Sequence, residues 1–128
     1  MVLVDTSVWV AHLREMHVDL ANLLAAGEVA CHPFIVGELA CGNLKNRTEI
    51  LSLLEALSMA AAAEHEEVLA FIESHSLMGK GLGYVDVHIL ASAALSRFPI
   101  WTLDKKLAQV ADMLGLNYRP DNRVAGGS

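Results

Sequence analysis

Four acids, Asp5, Glu38, Asp86 and Asp104, occupy settings that invite a chemical explanation. Asp5 directly follows the short apolar run Val2-Leu3-Val4, and Asp104 follows the strand-like Ile100-Trp101-Thr102-Leu103. Both therefore fall at the carboxyl ends of expected strands, where open α/β folds place their ligands. Both also precede helices, so N-capping is the competing explanation for each. Glu38 lies mid-helix with Phe34, Ile35, Leu39 and Cys41 as turn neighbours, a setting expected to be apolar. A carboxylate there calls for a metal or a basic partner such as Arg14 or Arg97. Asp86 occupies the first turn of a helix after the Gly81-Leu82-Gly83 break, where the helix dipole alone would favour it by about 1 kcal/mol at most.

One shared site accounts for the four acids more economically than four separate explanations. Gathered together, they would repel one another and raise their pKa values unless a hard cation lay between them. Oxygen ligands without His or Cys select Mg²⁺ or Mn²⁺ over Zn²⁺. Such ions activate a water nucleophile and stabilise the leaving oxygen of an in-line displacement on phosphorus, so the expected chemistry is phosphodiester hydrolysis.

The elements needed to position these acids are legible as alternating strands and helices. Val2-Leu3-Val4 leads through Asp5-Thr6-Ser7 into helical character from Val8 to Glu15. A helix from about Val18 to Ala26 is closed by Gly27, Glu28 to His32 is extended, and Pro33 opens the helix PFIVGELACG. Helical patterns recur at Glu49 to Leu57 and Glu64 to Met78, followed by the glycine-rich Gly79 to Gly83. The helix YVDVHILASAAL, the strand at Ile100 and an amphipathic helix through Leu107, Val110, Ala111 and Leu114 to Gly115 complete the series. Such alternation predicts a parallel sheet covered by helices, in a single domain over residues 1–122 with a disordered tail at 123–128.

Composition narrows the class further. The chain has 128 residues, long enough to bury a core without disulfides or metal staples. Its mean hydropathy of +0.41 is high for this length, and an apolar surface covered by a partner or a second copy is expected. Asp5 interrupts what would be the apolar part of a secretory signal, and no run reaches membrane-spanning length, so a cytoplasmic protein is expected. Cys31 and Cys41 lack a C-x-x-C spacing and the six histidines form no H-E-x-x-H, which argues against zinc and predicts two buried thiols. The formal charge of −6 runs against nucleic-acid binding unless bound divalent cations offset it where a phosphate sits.

Read in order, these segments resemble the PIN-domain ribonucleases, and in particular the VapC-type toxins of bacterial toxin-antitoxin pairs. VLVDTSVWVAHLR resembles the first motif with Asp5, PFIVGELACGNLK the second with Glu38, GLGYVDVHILASA the third with Asp86, and IWTLDKKL the fourth with Asp104. The likeness covers nearly the whole chain. It implies a three-layer α/β/α sandwich with a central parallel sheet, and Asp5, Glu38, Asp86 and Asp104 as catalytic ligands of Mg²⁺ or Mn²⁺. It also implies endoribonuclease activity, dimerisation to a homodimer and inhibition by a cognate VapB-like antitoxin. Thr6, Ser7 and Thr102 match the hydroxyls that family members carry beside the first and before the fourth acid, and are expected to support the ligands. RNA contacts fall to Lys45, Arg47, Lys80, Lys105 and Lys106, each of which otherwise reads as a solvated surface charge. His88, two positions after Asp86, points to another side of its helix and reads as structural, and Trp9 and Trp101 read as core rather than as base-stacking platforms.

Two other classes compete. A phosphotransfer enzyme of the haloacid-dehalogenase or receiver type also carries strand-end aspartates, but the first wants an Asp where Ser7 stands and the second an acidic pair near the first strand. A non-catalytic module whose acids only neutralise a basic peptide would show little response to Mn²⁺.

Overall fold

The computed structural model describes residues 1–120, so the expected tail at 123–128 and the domain end at 122 lie outside the described residues. Eleven elements follow one another among them: β1 (Val2–Val4), α1 (Thr6–Arg14), α2 (Val18–Ala25), β2 (Val29–Cys31), α3 (Pro33–Ala40), α4 (Arg47–Ala56), β3 (Ser58–Met59), α5 (His65–Ser74), α6 (Tyr84–Ser96), β4 (Ile100–Trp101) and α7 (Lys105–Met113). The four strands form one parallel sheet in the order β3-β2-β1-β4. Among the described residues a single further bridge, Ile100 to Asn117, extends it beyond β4.

This order creates a switch point. From β1 the chain moves outward through β2 to β3, then returns across the sheet to β4 on the other side of β1. Right-handed crossovers place helices from the two directions of travel on opposite faces, which produces the three layers. The packing agrees: α1 lies against α3 and α3 against α4, whereas α5 pairs with α6 and α7 rests on β4. The crevice between the carboxyl ends of β1 and β4 is where such a sheet binds its ligand.

The central strands are buried on both faces, as their unbroken apolar composition requires. Leu3, Val4, Ala30, Cys31 and Ile100 are inaccessible to solvent. Trp9 and Trp101 are core residues, as expected, and neither offers a face to a base. The helix α6 buries every residue from Val87 to Ala93, so it serves as an internal wall rather than a surface helix. The edge strand β3 was not legible in the sequence: Ser58 and Met59 are exposed and too few to make an apolar run. Cys31 is buried, with its thiol pushed up to about 11 mainly by that burial, but Cys41 is exposed, contrary to expectation. Cys41 caps α3 where the chain leaves the core, so it has no interior to enter.

His32 is the least expected member of the interior. Its Nδ1 accepts the Phe34 amide at 3.0 Å, capping α3, and its Nε2 lies 3.1 Å from Ser92 Oγ in α6. The accepting Nδ1 must be unprotonated, so Nε2 carries the proton and donates to Ser92. His88 is also buried and sits against Phe34 and His32 at ring distances of 4.6 and 5.7 Å, a structural position as expected. Among the described residues, no helix is long and apolar enough to cross a membrane.

Burial, and secondarily the neighbouring His88, pushes the His32 pKa down from 6.5 to about 4. The unfolded chain therefore binds a proton below pH 6.5 that the folded chain refuses until about pH 4. Stability should be full above that window and fall as the pH drops through it, by about 3 kcal/mol at most. Urea melts from pH 7.5 to 4 should show this loss, and His32→Asn, which retains a capping side chain, should show a shallower one.

Candidate active site

Asp5 ends β1 and caps α1, and it is 8% exposed. A carboxylate so placed requires donors, and three arrive on one oxygen. Oδ2 accepts Ser7 Oγ at 2.7 Å, Thr102 Oγ1 at 2.8 Å and the Ser7 amide at 3.4 Å. The two hydroxyls accept in their turn, Ser7 Oγ from the Leu103 amide at 2.9 Å and Thr102 Oγ1 from the Asp104 amide at 3.0 Å. Each hydroxyl has one proton, and both are spent on Asp5, so the 3.2 Å approach of Ser7 Oγ to Thr102 Oγ1 is a contact within the network rather than a further bond. The Asp5 amide also donates to the Trp101 carbonyl at 2.9 Å. The ends of β1 and β4 are thus laced together at the switch point.

Asp104 is exposed and caps α7, its Oδ1 accepting the amides of Lys106 at 2.9 Å and Leu107 at 3.1 Å. Asp86 stands in the third position of α6, and its Oδ2 accepts the Gly83 amide at 3.2 Å. Its carboxyl is raised above the usual range by burial first, then by the negative charges of Asp5 and Asp104, against the lowering effect of the Gly83 bond. Three acids from three separate elements therefore share one electrostatic field. The helix-capping explanations hold for Asp5, Asp86 and Asp104, and they coexist with convergence because the hydrogen bonds to each acid fall on a single oxygen.

Glu38 corrects the sequence reading in one respect. It is exposed: of its apolar turn neighbours Ile35 and Leu39 face the interior, whereas Phe34 and Cys41 are exposed, so Glu38 is not enclosed by them. It pairs with neither Arg14 nor Arg97, since the ion pair present among the described residues joins Arg119 to Asp112. Instead its Oε1 accepts Thr6 Oγ1 at 2.6 Å. Thr6 is the residue next to Asp5, so this bond carries the end of α3 to the mouth of the same crevice. The three expected supporting hydroxyls divide their work: Ser7 and Thr102 hold Asp5, and Thr6 holds Glu38.

The donors available are carboxylate and hydroxyl oxygens, the chemistry of a hard divalent cation. No three Asp, Glu, His or Cys side chains among the described residues are gathered tightly enough to close a metal cage. Like-charged carboxylates spread apart, and Mg²⁺ in particular retains several waters while binding one or two carboxylates directly, so an open acidic crevice fits it better than a closed cage would. Of the cations proposed to meet RNA, Arg47 is occupied with the helix end, donating to the carbonyls of Ala40 and Gly42. Lys106 lies across Gly81 at the edge of the crevice, a placement that no spacing in the sequence signals.

The chain matches the family model described as PIN domain over residues 2–113. It is 44% identical over 108 residues to Ribonuclease VapC32 of Mycobacterium tuberculosis, in two strains, covering 84% of this chain and 87% of that protein. Among solved structures it superposes on a toxin-antitoxin complex from Klebsiella pneumoniae with a TM-score of 0.69 at 20% identity, covering 94% of this chain and 98% of that one. A protein from Pyrobaculum aerophilum superposes with a TM-score of 0.58 at 17% identity, covering 88% and 84%. The three-layer fold with acids at its switch point and the extent of the match lead to one conclusion: the chain belongs to the PIN-domain family and is a homologue of the VapC ribonucleases.

Proposed function

We propose that this protein is a metal-dependent endoribonuclease, the toxin of a type II toxin-antitoxin pair, with Asp5, Glu38, Asp86 and Asp104 as the ligands of Mg²⁺ or Mn²⁺. The observation that carries the site is the raised carboxyl of Asp86 on α6, to which, after burial, the charges of Asp5 and Asp104 from two other elements contribute. The substrate class is supported by the ribonuclease homologue, whose name states its activity. When bound, the cation supplies activation of a water nucleophile and stabilisation of the leaving oxygen. Ser7 and Thr102 hold the Asp5 carboxylate in one orientation, and Thr6 does the same for Glu38, leaving the second oxygen of each for the cation.

A cognate VapB-like antitoxin is the proposed partner, with a homodimer as the working assembly and the cytoplasm as the compartment. A cleft of about 600 Å³ lined by Val10, Leu13, Leu39 and Ile50 reaches Glu38 itself, so a chain seated there would lie beside the carboxylates. Val10 and Leu13 are exposed, in keeping with a surface that a partner covers. A phosphotransfer reading is disfavoured by Ser7, which stands where a second aspartate would act and whose hydroxyl is committed to Asp5.

Purified protein freed of any antitoxin should cleave RNA with Mn²⁺ or Mg²⁺ and stop in chelator, and Glu38→Gln should abolish cleavage while circular dichroism and the melting curve stay close to wild type. Unfolding of this variant would assign Glu38 a structural role instead, an outcome its exposure and single Thr6 bond argue against.

Charge removal should separate the shared site from simple capping. Asp86→Asn retains an acceptor for the Gly83 amide and removes one repelling charge, so in chelator it should melt no lower than wild type. In Mn²⁺ the order should reverse, because a ligand of the folded state adds about 2.7 kcal/mol at a hundredfold excess over Kd and the variant has lost a ligand. Equal metal-induced shifts in the two proteins would remove Asp86 from the site; a wild type indifferent to Mn²⁺ would favour the non-catalytic acidic module.

A further inference from the structure

We infer that Lys106 is a built phosphate-binding residue of this site, seated by Gly81, and that it grips the RNA backbone beside the scissile bond. The inference rests on the nuclease reading for its substrate and on separate geometry for the residue. An added Cβ at Gly81 would stand 3.0 Å from Lys106 Cδ, 3.3 Å from Cε and 3.2 Å from Nζ. The whole outer half of the side chain therefore lies along the glycine backbone, in the space that a larger residue would take. Gly81 has φ +81°, a conformation suited to glycine, so the loop and the lysine depend on the same absent side chain.

Both ends of this contact are tied to the carboxylates. The Lys106 amide donates to Asp104 Oδ1, which fixes where the side chain departs from α7. Two residues beyond Gly81, the Gly83 amide donates to Asp86 Oδ2. The backbone of Lys106 is thus tied to Asp104 and the loop it lies on to Asp86, yet the ammonium forms no ion pair with either, the ion pair among the described residues being Arg119 with Asp112. A lysine free to seek its lowest energy beside several acids would move onto one of them. Laid along the glycine instead, it keeps its three donors for an incoming anion. In a chain of formal charge −6 with Arg47 occupied elsewhere, a phosphate approaching the acids needs such a cation at the point of entry.

The test compares five full-length proteins: wild type, Lys106→Met, Gly81→Ala, Gly79→Ala and the double variant of Gly81→Ala with Lys106→Met. Lys106→Met keeps an apolar stem over Gly81 and removes the charge. Gly79 has φ +72° and open space around its Cβ position, so Gly79→Ala imposes similar backbone strain without touching Lys106. Binding of a labelled single-stranded RNA in Mg²⁺ is read by anisotropy immediately after mixing, over a series of salt concentrations, and cleavage is followed in the same samples. Lys106→Met should weaken binding, lower the slope of log K against log salt by about 0.7 and raise KM while kcat holds. Gly81→Ala displaces the lysine tip by a few tenths of an ångström and should weaken binding less than Lys106→Met does, Gly79→Ala should bind as wild type, and Gly81→Ala added to Lys106→Met should cost nothing more. A wild-type slope in Lys106→Met, or equal losses from the two glycine variants, overturns the inference even if RNA is cleaved. Lys106-dependent binding without cleavage upholds Lys106 as the phosphate contact and defeats the nuclease reading instead, and absence of RNA binding in the wild type overturns the inference outright.

Discussion

The organisation of the site depends on how a nearly buried carboxylate is satisfied at the end of a strand. Asp5 cannot rely on water, and removing a charge from water without donors costs several kcal/mol. Its donors come from both sides of the switch point, Ser7 from the turn after β1 and Thr102 from the end of β4. Because the same hydroxyls accept the amides of Leu103 and Asp104, the segment that delivers Asp104 is shaped by the requirement to hold Asp5. One buried acid thereby sets the position of a second.

The rest of the arrangement follows from balancing attraction at the backbone against repulsion between side chains. Asp5, Asp86 and Asp104 each use one oxygen to satisfy amides at a helix start, where orphan N–H groups favour negative charge. Those bonds keep the acids from separating completely, while burial and the charges of Asp5 and Asp104 raise the Asp86 carboxyl. Local capping holds together a group of charges that would otherwise disperse. A structural role and a ligand role are therefore compatible for the same residue, one on each oxygen. Glu38, which has no cap to anchor it, is placed by Thr6 alone and remains exposed.

The same economy extends to the interior. His32 caps α3 and reaches Ser92 in α6, joining the helical layer behind β2 to the wall that carries Asp86. Burial keeps its ring neutral, so this joint between the two helices that bear Glu38 and Asp86 carries no charge near neutral pH.

The succession of strands and helices, the parallel sheet and the three aspartates at strand ends and helix starts were determined by local chemistry, and so were readable from sequence. Apolar β-branched runs mark Val2–Val4 and Ile100–Trp101, and Pro33 and the Gly81-Leu82-Gly83 break mark helix starts. The edge strand at Ser58–Met59 escaped because its residues are exposed and its pairing is supplied by β2 rather than by any preference of its own. Glu38 was singled out for apolar turn neighbours, and these do not establish burial, because the side of α3 facing the core is chosen by packing against α1 and α4. The exposure of Cys41, the division of Thr6 from Ser7, the reach of His32 to Ser92 and the rest of Lys106 on Gly81 were decided by tertiary structure alone. Each depends on a partner between 25 and 95 residues away or on which face a helix turns inward, and neither is encoded in the spacing of the chain.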